Sequence, residues 1–254
     1  MKYLNEFHKL KIFNKKKVVD LTGDKNAAKE ILRRYKKRGF ISQVKRDLYV
    51  ANDLAIATSI ASKFEIAGNI TPSSYLSYHA ALEYYGFAHQ VFYDIYVSSR
   101  EKFSDFNYDG IDYVYCKSSS EVGVLNPPTD SLVRITDLER TMLDCIDRPE
   151  FCGGIEELVQ CFSSITYVRE NRLMEYLVIF DKQILYQKTG FVLGFFRKEM
   201  RLSDSFFAFC KSKIGKGTGY LSNKTESDTY FKEWKLCAPE NILSYLEQGG
   251  LAYV

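Results

Sequence analysis

Apolar residues recur at Tyr3, Leu4, Phe7 and Leu10, the spacing of one helical face, and predict a first helix over 2–10 that Asn14 interrupts. Val18-Val19-Asp20-Leu21 forms a short second segment. It runs into Thr22-Gly23-Asp24, where glycine permits a left-handed turn and Asp24 caps the helix that follows. That third segment, Lys25 to Arg38, is long, rich in helix formers and stopped by Gly39. On a 100° wheel Ala28, Ile31, Leu32 and Tyr35 fall together on the side to be buried, and Asn26, Lys29, Arg33 and Lys37 fall opposite. After Gly39 the period changes. Phe40 to Val44 and Leu48 to Val50 read as two strands joined by a tight charged turn at Lys45-Arg46-Asp47. Helix, turn, helix and a hairpin together predict a winged helix-turn-helix.

Further along, the pattern predicts an alanine-rich helix over 53–64, breakers from Gly68 to Pro72, and a helix over 73–85. Strands are expected over 91–98, 112–117 and 133–136, helices over 169–201 and 203–213, and a last strand at 233–236. Thr136-Asp137-Leu138-Glu139 has the spacing of a capping box opening a helix on which Arg140 and Asp144 pair. The expected fold is therefore α/β (α+β) in two domains: residues 1–68, the winged helix-turn-helix with a connecting helix, and residues 69–254, a mixed α/β domain.

Composition changes this picture little. With 254 residues, 46% apolar and 26% charged, the chain is expected to be globular, and no apolar run approaches the roughly 20 residues of a bilayer-spanning helix. The charged start MKYLNEFHKL does not suit a signal peptide, so a cytoplasmic location is expected. Cys116, Cys145, Cys152, Cys161, Cys210 and Cys237 form no CxxC pair and read as reduced, mostly buried thiols.

Charge changes the picture more. The net value of +3 hides 15 Lys or Arg against 5 Asp or Glu in residues 1–50, a local +10 that leaves −7 on the remainder. Such an excess attracts a polyanion, and duplex DNA is the partner expected. Asn26, Lys29, Arg33 and Lys37 are the candidate groove-facing residues, and Lys25 at the helix start is a further candidate DNA contact. Lys45 and Arg46 at the hairpin tip, and Lys16 and Lys17 before the second helix, are candidates for the phosphate backbone.

Catalytic chemistry finds less support. Gly215-Lys216-Gly217-Thr218-Gly219 lacks P-loop spacing and reads as a flexible turn. His79 and Glu83, with His89 beyond Gly86, lack the H-E-x-x-H pattern, so core or capping roles are expected for the histidines. Asp94, Glu101 and Lys102 are the nearest approach to a nuclease's two acids and a lysine. No catalytic residue, metal or cofactor is expected, and the protein is expected not to be an enzyme; a helix-turn-helix-targeted nuclease, or a plain repressor with an interaction domain, is the alternative.

Several ordered motifs then carry a resemblance. They are Ser77-Tyr78-His79-Ala80-Ala81-Leu82-Glu83 with Gly86 to Gln90, Ile135 to Asp144 leading to Asp147-Arg148-Pro149-Glu150, and Gly153-Gly154-Ile155-Glu156-Glu157. Thr189 to Gly194, Trp234-Lys235-Leu236 and Pro239-Glu240-Asn241 follow in order. Over nearly its full length the chain resembles the AbiEi antitoxins of the AbiE type IV toxin-antitoxin (abortive infection, phage defence) systems. That resemblance implies a transcriptional repressor acting on promoter repeats of its own operon. It also implies an antitoxin whose C-terminal domain counteracts a co-encoded nucleotidyltransferase toxin without a stable complex. A monomer binding cooperatively on DNA, with no membrane partner, is expected.

Overall fold

The structure is a computed structural model that describes residues 2–223 and 228–245. It divides into two compact units: residues up to 76 with 93–119 and 126–134, and residues 77–92 with 120–125 and those from 135 onwards. The boundary expected near residue 68 falls inside the first unit, which takes up later segments of the chain as well.

The first unit begins α1 (Leu4–Leu10), β1 (Ile12–Asn14), α2 (Lys15–Thr22), α3 (Lys25–Lys37), β2 (Ile41–Lys45), β3 (Leu48–Ala51). Gly23 at φ 72° makes the turn between α2 and α3, and the Asp24 carboxylate accepts from the Ala27 N–H at 2.5 Å. At the other end of α3 the Phe40 N–H bonds to Tyr35 O and the Gly39 N–H to Lys36 O. This double bond pattern needs the left-handed Gly39, φ 73°. The buried side of α3 is Ala28, Ile31, Leu32 and Tyr35, as its periodicity predicts. These residues join Phe7, Phe13, Val18, Ile41 and Ala51 in one core, where Phe7 stacks on Phe13 at 4.4 Å and meets Tyr35 edge-on at 5.7 Å. The periodicity of the chain does not announce β1. It pairs antiparallel with β3 and makes a three-stranded sheet of order β1-β3-β2.

The helix expected over 53–64 does not form. Asp53 Oδ1 accepts from the N–H groups of Ala55 and Ile56, a local turn that competes with helix, and Ala57 takes a positive φ of 56°. Helix begins only at α4 (Lys63–Gly68), where Ser62 and Glu65 make a true capping box, and Glu65 Oε1 accepts from Lys11 Nζ at 2.8 Å. Likewise 73–85 is not one helix, because Tyr75–Leu76 is strand β4. With β5 (Asp94–Ser99), β6 (Phe106–Tyr108) and β7 (Ile111–Lys117) it forms the order β6-β7-β5-β4, in which β5 and β7 are parallel.

The second unit contains α5 (Tyr78–Tyr84), the short pair β8 (Val124–Leu125) and β9 (Ile135–Thr136), and α6 (Leu138–Asp147). Next come α7 (Gly154–Ser163), α8 (Glu170–Phe180), α9 (Gln183–Gly194) and α10 (Asp204–Ser212), then β10 (Gly219–Tyr220), β11 (Asp228–Phe231) and β12 (Leu236–Pro239). The helix expected over 169–201 is two, divided by a left-handed Asp181. The expected strand at 233–236 lies three residues later, at β12. α9 is buried from Leu185 to Leu193 and forms the centre of this unit. The cap of α6 is Asp137, which accepts from the Arg140 N–H at 2.9 Å, not Thr136; the Thr136 hydroxyl is turned inward to Thr141 at 2.7 Å. Glu139 is therefore free of capping and accepts three hydrogen bonds from Arg169. Arg140 and Asp144 pair at 2.8 Å, as their i, i+4 spacing predicts.

Candidate nucleic-acid interface

Packing of α3 by its apolar side leaves the opposite side in solvent, and Lys25, Asn26, Lys29, Arg33 and Lys37 are all exposed. Arg33 makes a two-pronged pair with Glu30 through Nη2 at 2.7 Å and Nε at 3.1 Å. That hydrogen bond raises the arginine's pKa and holds the Glu30 carboxyl below its ordinary value. Among the described residues neither Lys29 nor Lys37 has an ion-pair partner, so the face keeps most of its positive charge. An exposed pair such as Glu30 with Arg33 contributes little to stability.

Among the described residues, two basic recesses of the first unit are lined in part by α3. One, of about 530 Å³, is lined by Asn14, Lys15, Lys16, Val19, Lys25 and Asp47. It brings the start of α2, the start of α3 and the hairpin tip together. Asn14 caps α2 by accepting from the Lys17 N–H at 2.9 Å, which fixes the direction in which this lysine run leaves the strand. The second, of about 650 Å³, includes Lys36, Gln43, Lys45, Arg46 and Tyr108. Here Gln43 accepts from Lys36 Nζ at 2.9 Å and donates to Lys45 O at 3.3 Å, bracing β2 against α3. Periodicity cannot reveal that brace, since its partners lie on two elements of different repeat.

Lys45 departs from its expected role. Its ammonium sits over the rings of Phe103, 5.0 Å, and Phe106, 5.5 Å, and burial pushes its pKa down. It is a packing residue of the hairpin, whereas Arg46 stays exposed at the tip beside Asp47, whose φ of 63° makes the turn. Lys16 and Lys17 are exposed.

The other candidates for chemistry do not converge. Asp94 opens β5 and Glu101 lies beyond its end, so an extended run of roughly 17 Å separates the nuclease candidates, and Glu101 Oε2 is engaged by the Ser73 hydroxyl at 3.1 Å. The Gly215 to Gly219 segment is packed rather than flexible. Gly215 O accepts from Lys235 Nζ at 2.7 Å, Gly217 O accepts from Gln187 Nε2 at 3.1 Å, and a Cβ on Gly219 would lie 2.0 Å from Ile184 Cδ1. Its carbonyls are occupied, which is the wrong polarity for an anion cradle. His79 turns away from the imagined partnership with Glu83 and His89 and meets Glu157 of α7, 78 residues away, at 3.0 Å.

No family model and no curated protein matches the chain. Among solved structures it is similar to the crystal structure of the RV2827C protein from Mycobacterium tuberculosis, at 14% identity and a TM-score of 0.60, covering 94% of this chain and 89% of that one. That likeness supports a mixed α/β fold over nearly the whole length. Among the described residues no helix is long and apolar enough to cross a membrane.

Proposed function

We propose that this chain is a DNA-binding transcriptional autorepressor that doubles as the antitoxin of a type IV toxin-antitoxin pair, with residues 1–51 acting as a winged helix-turn-helix. The two-sided character of α3 carries the DNA-binding half: Ala28, Ile31, Leu32 and Tyr35 hold the core while Asn26, Lys29, Arg33 and Lys37 face solvent. A helix so mounted enters the major groove with its N-terminal residues at base edges, where Asn26 suits adenine and Arg33 suits guanine. Lys16, Lys25 and Arg46 line recesses beside it and Lys17 is exposed on α2, adding positive charge for phosphates, which fixes register without reading sequence.

The antitoxin half rests on the ordered motifs from Ser77 to Asn241 and their resemblance to AbiEi proteins. On this reading the C-terminal part counteracts a co-encoded nucleotidyltransferase without holding it in a stable complex. The protein binds promoter repeats as monomers placed side by side.

A nuclease-protection footprint over the DNA upstream of its own gene tests the first half, with protection of adjacent repeats expected. Uniform cleavage at protein concentrations well above micromolar overturns it. Co-expression with the neighbouring gene tests the second: rescue of growth from a nucleotidyltransferase is expected, and a neighbour of another kind, or no rescue, removes the antitoxin assignment.

A further inference from the structure

In the second unit three side chains of metal-binding type, His79 from α5 and Glu157 and Cys161 from α7, place one ligand atom each within 4.8 Å of the others, all three residues being buried. Glu157 and Cys161 are i, i+4 on α7 and so share a face, and α5 brings the imidazole to it. The edge of the arrangement is fixed by Phe92, whose ring meets His79 edge-on at 4.4 Å and lies so close to Gly153 that a Cβ there would come within 2.6 Å.

The hydrogen bonding of Glu157 is lopsided. Its Oε1 faces four donors: His79 Nε2 at 3.0 Å, the His89 N–H at 2.9 Å, the Gln90 N–H at 3.0 Å and the Cys161 thiol at 3.3 Å. Its Oε2 is buried with no partner. A buried carboxylate oxygen left bare beside one that is oversubscribed is a costly arrangement for a group with only a structural duty. It fits a carboxylate whose second oxygen is kept for a cation, while backbone amides hold the first in the manner of an outer shell.

From this we infer that His79, Glu157 and Cys161 form a buried structural site for a divalent transition-metal ion of the zinc type. A nitrogen, an oxygen and a sulfur are the donors zinc accepts. At its usual bond lengths such donors stand roughly 3.3–3.5 Å apart in a tetrahedron, a spacing that the three side chains, each with a ligand atom within 4.8 Å of the others, can close to. The charges also balance, since one carboxylate and one thiolate neutralise a dication in a buried site. On binding, the sulfur of Cys161 releases its proton to solvent and forms the metal bond, the ionised Glu157 turns Oε2 to the ion, and neutral His79 moves its proton from Nε2 to Nδ1, which frees the Nε2 lone pair for the ion. Because the bound sulfur is a thiolate, one proton leaves for each ion taken up and affinity rises with pH.

The test uses the full chain, reduced and purified without an affinity tag that binds metal. Elemental analysis after growth in zinc-supplemented medium is expected to give about one zinc per chain. Cobalt(II) added to the chelator-treated protein is expected to give a thiolate-to-cobalt charge-transfer band, with affinity rising about tenfold per pH unit for the one proton released. Cys161→Ser is expected to lose the band and Cys210→Ser, a buried cysteine outside the group, to keep it. Less than about a tenth of an equivalent of metal, together with no charge-transfer band on cobalt addition to the wild-type chain, overturns the proposal. So does a band that persists undiminished in folded Cys161→Ser.

Discussion

Gly190 and Trp234 are in backbone-to-ring contact: a Cβ built on Gly190 would lie 2.0 Å from Trp234 Cζ3 and 2.3 Å from Cη2. Gly190 is inside α9, where alanine is otherwise favoured over glycine by roughly 1 kcal/mol. The indole is buried, and displacing it from a packed core costs about 1–3 kcal/mol. An overlap at 2.0 Å takes the upper end of that cost, so Gly190→Ala is expected to destabilise by about 2 kcal/mol, the packing cost of about 3 less the helix gain of about 1. Trp234 is the sole tryptophan, so its fluorescence during urea unfolding reads the effect directly; an unchanged midpoint would refute the close packing.

Replacing Lys29 and Arg33 together with alanine should weaken binding to the operator at least tenfold and make the salt dependence shallower. Every phosphate that the variant no longer neutralises takes about 0.9 off the slope of log affinity against log salt. Because both side chains are exposed on the face away from the core, thermal stability should stay near the wild-type value. A binding isotherm at several salt concentrations decides the matter, and equal slopes for variant and wild type would move the DNA-binding surface off α3.

Lys45 and Arg46 are neighbours with opposite expected roles. Lys45→Ala strips the cation from Phe103 and Phe106 and should lower stability while leaving the salt slope near that of wild type. Arg46→Ala should do the reverse. Calorimetry and a filter-binding titration on both variants separate the two; a shallower slope confined to Lys45→Ala would reverse the assignment.

Asp144 lies against Arg140 on α6, and burial raises its pKa to about 6 from an ordinary 3.8, with the arginine opposing that rise. A carboxyl raised on folding adds stability only while it holds its proton. That contribution is complete below about pH 4 and lost as pH rises through 6, an amount of at most about 3 kcal/mol. Asp144→Asn cannot titrate. The stability of wild type relative to this variant should therefore fall between pH 4 and pH 6 and be flat above 7, as measured by urea unfolding across that range. A flat difference throughout would show that Asp144 titrates alike in both states.

Much of the basic segment was readable from local pattern, because its determinants lie within a few residues of one another. The buried side of α3 follows from a 3.6-residue period, and Asp24 and Gly39 act on groups at most four residues away. What escaped depends on partners far along the chain. Ile12–Asn14 is too short to show a period, and its strand identity comes from Leu48 to Val50. Asp53 defeats the alanine-rich helix through side-chain bonds that a periodicity count ignores. Thr136 and Asp137 are both good caps, and only the inward Thr141 hydroxyl decides between them. The partnership of His79 with Glu157 spans 78 residues, and no spacing rule reaches that far.

The interlacing of the two units has a consequence for biosynthesis. The small aromatic core around Phe7, Phe13 and Tyr35 is complete once Ala51 has been made, so the basic segment can order early on the ribosome. The rest of its unit must wait for residue 134, and residues 77–92 emerge long before α6 to α9, the helices that share their unit. At a synthesis rate of roughly 5–20 residues per second, the apolar side of α5 stays uncovered for several seconds. During that interval the nascent chain carries a basic segment already shaped and a second unit only partly made.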